Sequence, residues 1–140
     1  MKRQYILDGT EFSTFEGFAR HFSAVVLRGH EWRGNLDAFN DILRGGFGTP
    51  EEGFVLVWRN HARSKECLGH GEAARRLEGL LETCHPSNIP RFRARLAAAR
   101  QGQGSTLFDE LVEIIRIHGI GGREEHDGVE LVLECERSGR

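Results

Sequence analysis

The chain has no long apolar segment and few cysteines. No apolar run in its 140 residues approaches the ~20 residues of a membrane-spanning helix. The first nine residues, MKRQYILDG, lack the apolar core of a signal peptide. Three cysteines, Cys67, Cys84 and Cys135, form an odd set without the spacing of a disulfide framework. We therefore expect a cytoplasmic protein in a reducing environment.

An excess of charge of either sign is also lacking. Lysine and arginine number 19 against 21 aspartates and glutamates, a net charge of −2. Such a balance predicts neither a nucleic-acid-binding protein nor a membrane-surface protein. The 39% hydrophobic and 29% charged fractions are typical of a globular domain, and any electrostatic function must come from a local arrangement of charges.

Apolar periodicity predicts strands that alternate with helices. The predicted strands are residues 4–9 (QYILDG), 54–58 (FVLVW) and 129–134 (VELVLE). The predicted helices are residues 15–22, 36–43, a weak one at 61–68, and 107–118. Strands separated by helices pair in parallel through crossover connections. We therefore predict an α/β fold with a three-stranded parallel sheet packed with helices.

Capping residues mark where the predicted helices begin. Ser13 with Glu16 three residues later has the pattern of a capping box, and Asn35 is a good N-cap for the helix that begins at Leu36. Thr106 with Asp109 caps the last helix.

Residues 69 to about 104 interrupt this alternation. They contain two charged helix candidates, EAARRLEGLLETC and RFRARLAAAR, joined by HPSNIP, and Pro90 is tolerated in a first helical turn. We predict a single domain over residues 1–140 with an inserted helical hairpin at about 69–104.

Two aspartates stand one turn apart on the second helix. Asp37 and Asp41 lie on the side away from the apolar stripe, and carboxylates at this spacing repel each other. Arg44, three residues beyond Asp41, softens this repulsion only weakly. Charge alone favours a solvated acidic face. Trp32, just before this helix, is either an aromatic contact for a partner or a staple that packs the helix onto the core.

The segment WRGNLDAFNDIL, followed by FVLVWRN, resembles the barstar family of intracellular inhibitors of barnase-type ribonucleases. YILDG, FDELVEIIRIHG and VELVLE support the resemblance, which covers residues 4–67 and 105–134. It implies a barstar-like parallel α/β fold and a protein that blocks a nuclease active site. The inserted hairpin has no counterpart in barstar.

The resemblance also implies a partner-binding surface. Asp37 and Asp41 would imitate RNA phosphates, with Asp41 as the central contact. Asn40 stands where barstar has a tryptophan, and Ile114 stands where barstar has an acidic contact, so that contact is not carried over. The complete expected set of partner-binding residues is Trp32, Asn35, Leu36, Asp37, Asn40, Asp41 and Arg44. The expected partner is a barnase-type ribonuclease or a related nuclease toxin.

Other residue combinations point to alternative functions. Cys67 and His70 have usable zinc-ligand spacing, but the adjacent Cys84-His85 pair lacks the usual gap, so we predict no metal site. His61 and His118 are expected at helix ends or on the surface. No catalytic triad or carboxylate pair stands out, and we expect neither an enzyme nor a cofactor.

The arginine-rich part of the insert offers a different binding mode. Arg91, Arg93, Arg95 and Arg100 fall within ten residues, and such a helix grips phosphates unless its charges pair within the protein. A barstar-fold module that binds a basic partner other than a nuclease, or RNA through this insert, is therefore the alternative to ribonuclease inhibition.

Overall fold

Three parallel strands form the sheet in the computed structural model, which describes residues 2–27, 30–32, 36–45, 49 and 53–134, without the side chain of Asp37. The strands are β1 (Arg3–Asp8), β2 (Phe54–Arg59) and β3 (Val129–Glu134), in the spatial order β1-β2-β3. In register, Phe54 lies between Arg3 and Val129. The predicted α/β class with a three-stranded parallel sheet is confirmed.

Six α-helices lie within the described residues. They are α1 (Phe15–Phe22), α2 (Leu36–Leu43), α3 (His61–Cys67), α4 (His70–Thr83), α5 (Ile89–Arg100) and α6 (Leu107–Ile117). A π-helical segment, Ser23–Leu27, continues α1, and a 3-10 turn, Glu125–Asp127, precedes β3. The predicted helices at 15–22 and 36–43 are confirmed at these bounds. No helix of the described residues is long and apolar enough to cross a membrane.

An aromatic core fixes α1 and α2 against the sheet. Phe18 of α1 stacks on Trp58 of β2 with ring centroids 5.2 Å apart, and Phe22 meets Phe39 of α2 edge to face at 5.2 Å. These four side chains are fully buried. Because aromatic pairs add ~0.5–1.5 kcal/mol to the free energy of burial, the position of α2 is set by its inward face, and its polar face is left outside.

The cap of α1 differs from the prediction. Thr14, not Ser13, precedes the helix, and its hydroxyl oxygen accepts a hydrogen bond from the backbone N–H of Gly17 at 3.0 Å. Ser13 instead accepts a hydrogen bond from Arg63 at 3.0 Å. The cap predicted for α6 is confirmed and is a capping box, because the Thr106 hydroxyl accepts from the Asp109 N–H and the Asp109 carboxylate accepts from the Thr106 N–H.

Helices α4 and α5 pack together as a helical hairpin, and α4 also packs against α6. The buried side chains of this hairpin are Ala73, Ala74, Leu77, Leu96 and Ala99. Glu72 joins the hairpin to the core, because its carboxylate accepts a hydrogen bond from the backbone N–H of Phe15 at 2.6 Å. An acidic group from α4 thus satisfies a free N–H at the start of α1, where the helix dipole favours negative charge.

Candidate protein-binding surface

Helix α2 presents one apolar face to the core and one polar face to solvent. Phe39, Ile42 and Leu43 are buried, whereas the side chain of Asp41 is 61% exposed. Asp37 lies in the first turn of α2, but its side chain is outside the described part of the chain. Asn35 is outside the described residues altogether. The structure therefore places Asp41 on an accessible helix face, as the residue pattern predicted.

Arg44 links Asp41 to Glu124, which belongs to the connection between α6 and β3. Its Nη1 lies 3.0 Å from an Asp41 carboxylate oxygen, while Nε and Nη2 lie 3.1 and 3.3 Å from the two Glu124 oxygens. We call Asp41, Arg44 and Glu124 the acidic surface, since two carboxylates share one guanidinium. Hydrogen bonding to Arg44 lowers the pKa of Glu124, and bonding to Glu124 raises the pKa of Arg44.

Asn40 points to a buried polar pair beneath the acidic surface. Its side-chain oxygen lies 3.0 Å from Nε2 of His118, and Nδ1 of His118 lies 2.7 Å from an Asp127 carboxylate oxygen. The Asp127 carboxylate and the Asn40 amide thus engage both ring nitrogens of His118. His118 lies at the end of α6, which confirms the helix-end alternative of its prediction, and the side chain is fully buried there.

Glycines let the connection before β3 pack closely enough to support these contacts. A side chain at Gly119 would collide with the carbonyl oxygen of Val129, and one at Gly122 with the carbonyl oxygen of Ile117. The N–H of Glu124 donates to that same Ile117 oxygen at 2.9 Å. The segment that carries Glu124 and Asp127 is thereby tied to the end of α6.

Trp32 was expected among the partner contacts, but the structure places it in the core. Only 4% of the residue is exposed, and its ring stacks on Phe39 with centroids 4.7 Å apart. Its backbone N–H donates to the hydroxyl of Ser23 at 3.0 Å. The sequence left Trp32 as either a partner contact or a staple for α2, and in the structure it packs α2 onto the core. Leu36, another expected contact, is half-buried and also packs against the core.

Several arginines of the helical hairpin form ion pairs within the protein. Arg100 lies 2.6 Å from Glu78, Arg95 lies 2.8 Å from Glu110 of α6, and Arg75 bonds both Glu72 and Glu16. Glu16 and Glu72 therefore have lowered pKa values, with the hydrogen bond from Arg75 as the largest cause. Arg91 lies over the ring of its neighbour Phe92 at 5.1 Å.

Side chains that bind metals also meet beneath the acidic surface. In the described part of the chain, His118, Glu124 and Asp127 bring ligand atoms within 4.8 Å of one another. However, both ring nitrogens of His118 already have partners, and both Glu124 oxygens lie against Arg44. The arrangement is therefore complete as a set of hydrogen bonds and ion pairs. Of the described residues, no three of Cys67, His70, Cys84 and His85 gather into such a group.

The fold and this surface together define a small parallel α/β protein with an exposed acidic helix. The family model for barstar, described as the barnase inhibitor, matches residues 3–116. The chain therefore belongs to the barstar family. The match includes α2 and the helical hairpin and ends before Glu124. No curated protein and no solved structure matches the chain.

Proposed function

We propose that this protein inhibits a ribonuclease of the barnase type, or a related nuclease toxin, by placing α2 in its cationic active site. The observation that carries the proposal is the 61% exposure of Asp41 on a helix that the aromatic core holds in place. Membership in a family of barnase inhibitors supports it.

The chemistry of the target explains why an acidic helix suits this purpose. Ribonuclease active sites gather arginine, lysine and histidine to hold phosphate, and a carboxylate offers the same charge to the same donors. Complementary charge speeds the encounter, and between barnase and barstar themselves close charge pairs have coupling energies of about 1.5–7 kcal/mol. By comparison, repulsion between Asp37 and Asp41 within one helix costs only a few tenths of a kcal/mol.

The packing of α2 favours tight binding as well. Phe39 is held between Trp32 and Phe22, so the helix that carries Asp41 is already ordered before a partner arrives. A preformed surface avoids the entropy cost of ordering a segment on binding. We expect the other residues predicted for this surface to lie at the same interface: Asn35, Leu36, Asp37, Asn40 and Arg44.

We propose that the helical hairpin is an insertion into a single barstar-like domain. The residues that flank it in sequence meet in space, because the N–H of Phe108 donates to the carbonyl oxygen of Leu68 at 2.8 Å. Removing the hairpin would thus leave α3 and α6 in contact. Because Arg75, Arg95 and Arg100 are paired inside the protein, RNA binding by the hairpin is the weaker alternative.

An inhibitor of this kind protects the cell that makes the nuclease, so we place its action in the cytoplasm. The test is a titration of ribonuclease activity with the purified protein, using barnase and a panel of related ribonucleases. We expect at least one enzyme to lose activity in proportion to added protein, with an end point at one inhibitor per enzyme. Full activity of every enzyme at a large excess of the protein would contradict the proposal.

The same preparation distinguishes the alternative. Retarded migration of RNA with the protein, abolished when Arg91 and Arg95 are changed to glutamine, would favour nucleic-acid binding through the hairpin. Capture of a basic protein without loss of ribonuclease activity would favour a partner that is not a nuclease.

A further inference from the structure

Arg44 binds two carboxylates that belong to different parts of the chain. Asp41 lies one turn earlier on α2, whereas Glu124 is 80 residues away in sequence. Three guanidinium nitrogens face three carboxylate oxygens at 3.0–3.3 Å, and the contact with Glu124 is the bidentate geometry that arginine prefers. In the free protein, the acidic surface therefore already holds a guanidinium group.

We propose that Arg44 is an internal competitor for the partner, occupying the position that an arginine or lysine of the bound enzyme takes on docking. This inference rests on the proposed function and deepens it. It assigns Glu124 as a further partner contact, and it predicts that Arg44 moves aside when the complex forms. The partner that fits is a protein surface carrying a cation with room to reach Asp41 and Glu124 together.

The exposure of Arg44 makes such an exchange feasible. Its side chain is 46% exposed, and those of Asp41 and Glu124 are 61% and 32% exposed. Exposed ion pairs contribute little to stability, because water and salt screen them and the side chains lose entropy in forming them. The long flexible stem of arginine can turn into solvent without moving α2. A partner that excludes water from the same carboxylates makes stronger contacts than Arg44 does.

Glu124 has a fixed position, unlike Arg44. Its backbone N–H bonds Ile117, and the close approach of Gly122 holds the segment against the end of α6. Three residues later, Asp127 is held by His118, which also bonds Asn40 of α2. These contacts keep Glu124 beside Asp41 when Arg44 leaves. The two carboxylates then form a preorganised site for an incoming cation.

The experiment compares Arg44→Gln with the wild-type protein, using catalytically disabled barnase as the probe and any other ribonuclease that the titration identifies. Surface plasmon resonance at low and at physiological salt gives the rates. We expect Arg44→Gln to bind about two- to ten-fold more tightly, mainly through faster association at low salt, because exposed pairs of this kind are weak. Weaker binding by Arg44→Gln would overturn the proposal and make Arg44 a direct partner contact.

Arg100→Gln is the matched control. Arg100 is 60% exposed and pairs with Glu78 in the hairpin, so its removal changes the net charge equally. We expect the affinity of Arg100→Gln to stay close to wild type. Equal gains for the two variants would mean that net charge alone acts, and that Arg44 is not a competitor.

Glu124→Gln tests the second part of the inference. In the Arg44→Gln background the guanidinium no longer holds the Glu124 carboxylate, so Glu124→Gln should reduce affinity by a larger factor there than in the wild type. If Glu124→Gln reduced affinity by the same factor in the two backgrounds, Arg44 would not compete with the partner for Glu124. No effect in either background would exclude Glu124 as a contact.

A further measurement separates failure of this inference from failure of the proposed function. If no ribonuclease binds any variant, the proposed function fails, yet the internal contact is still testable by NMR titration of Glu124. Since Arg44 lowers the pKa of Glu124, the pKa should rise in Arg44→Gln. An unchanged pKa would show that Arg44 does not hold this carboxylate in solution.

Discussion

The acidic surface and the helical hairpin are both rich in charge, but they differ in how the charges are paired. The hairpin segment, residues 69–104, has six arginines and three glutamates. Ion pairs join Arg75 and Arg100 to glutamates of the hairpin, and Arg75 and Arg95 to Glu16 and Glu110 outside it. On the acidic surface, one arginine serves two carboxylates.

This difference indicates two separate roles. Charges that pair with neighbouring elements attach the hairpin to the rest of the fold, as Arg75 does by bonding Glu72 of its own helix and Glu16 of α1. A surplus of carboxylates over cations has no such internal use, because isolated exposed charges add little stability. Under the proposed function, a cationic partner makes use of this surplus.

The largest effect on stability is expected beneath the acidic surface. Asp127→Ala removes the carboxylate that bonds Nδ1 of fully buried His118, and leaving a buried group without its charged partner costs about 3 kcal/mol or more. Denaturant unfolding measures this loss. Arg123→Ala, a change at an exposed residue of the same connection, is the control and should stay within about 0.5 kcal/mol of wild type. Equal losses in the two variants would show that the pair does not support this surface.

A smaller effect is expected where the hairpin meets α1. Glu72→Gln weakens the bond to Arg75 and the acceptor for the Phe15 N–H, which should lower the free energy of unfolding by about 1–3 kcal/mol. Glu82→Gln, at an exposed position of the same helix, is the matched control. If the hairpin charges serve only to attach the hairpin, Glu72→Gln lowers stability and leaves the affinity of the folded protein for its partner unaltered. A loss of affinity as large as the loss of stability would contradict the separation of roles between the two regions.

The smallest effect is a dependence of stability on acid pH. Hydrogen bonds from Arg75 hold the pKa values of Glu16 and Glu72 below their ordinary 4.5. A carboxyl group whose pKa is lowered in the folded state adds stability above its unfolded pKa and loses it as pH falls through the folded pKa. Thermal unfolding between pH 6 and pH 3 should therefore show a decline that begins near pH 4.5. The decline should be shallower in Arg75→Gln; an identical decline would exclude this network as its cause.

Much of the fold follows from periodicity. Phe15, Phe18 and Phe22 recur at helical spacing and line the inner face of α1, and the continuous apolar run at 54–58 forms the central strand. The predicted cap of α1 differs by one residue from the observed one because Ser13 and Thr14 are adjacent hydroxyl residues, and both types serve as N-caps. The choice between them depends on Arg63, which is distant in sequence and binds Ser13.

The site could be predicted only where its residues are neighbours in sequence. The exposed position of Asp41 follows from the helical spacing within α2. Glu124 has no such signal, since it lies in a connection without periodicity and reaches Arg44 only through the tertiary fold. Trp32 left two alternatives open because a local sequence does not show that Phe39 lies 4.7 Å from its ring. The burial of His118 has no local signal for the same reason, since its partner Asn40 belongs to α2.

The most direct test of ribonuclease inhibition through α2 is the affinity of Asp41→Ala for the enzyme that the titration identifies, measured beside Glu78→Ala. Removing the central acidic contact leaves the enzyme's cations unpaired and should weaken binding by about 2–5 kcal/mol. Glu78→Ala removes an exposed glutamate of the hairpin and should change affinity by less than about 0.5 kcal/mol. A loss for Asp41→Ala as small as that for Glu78→Ala would contradict the account.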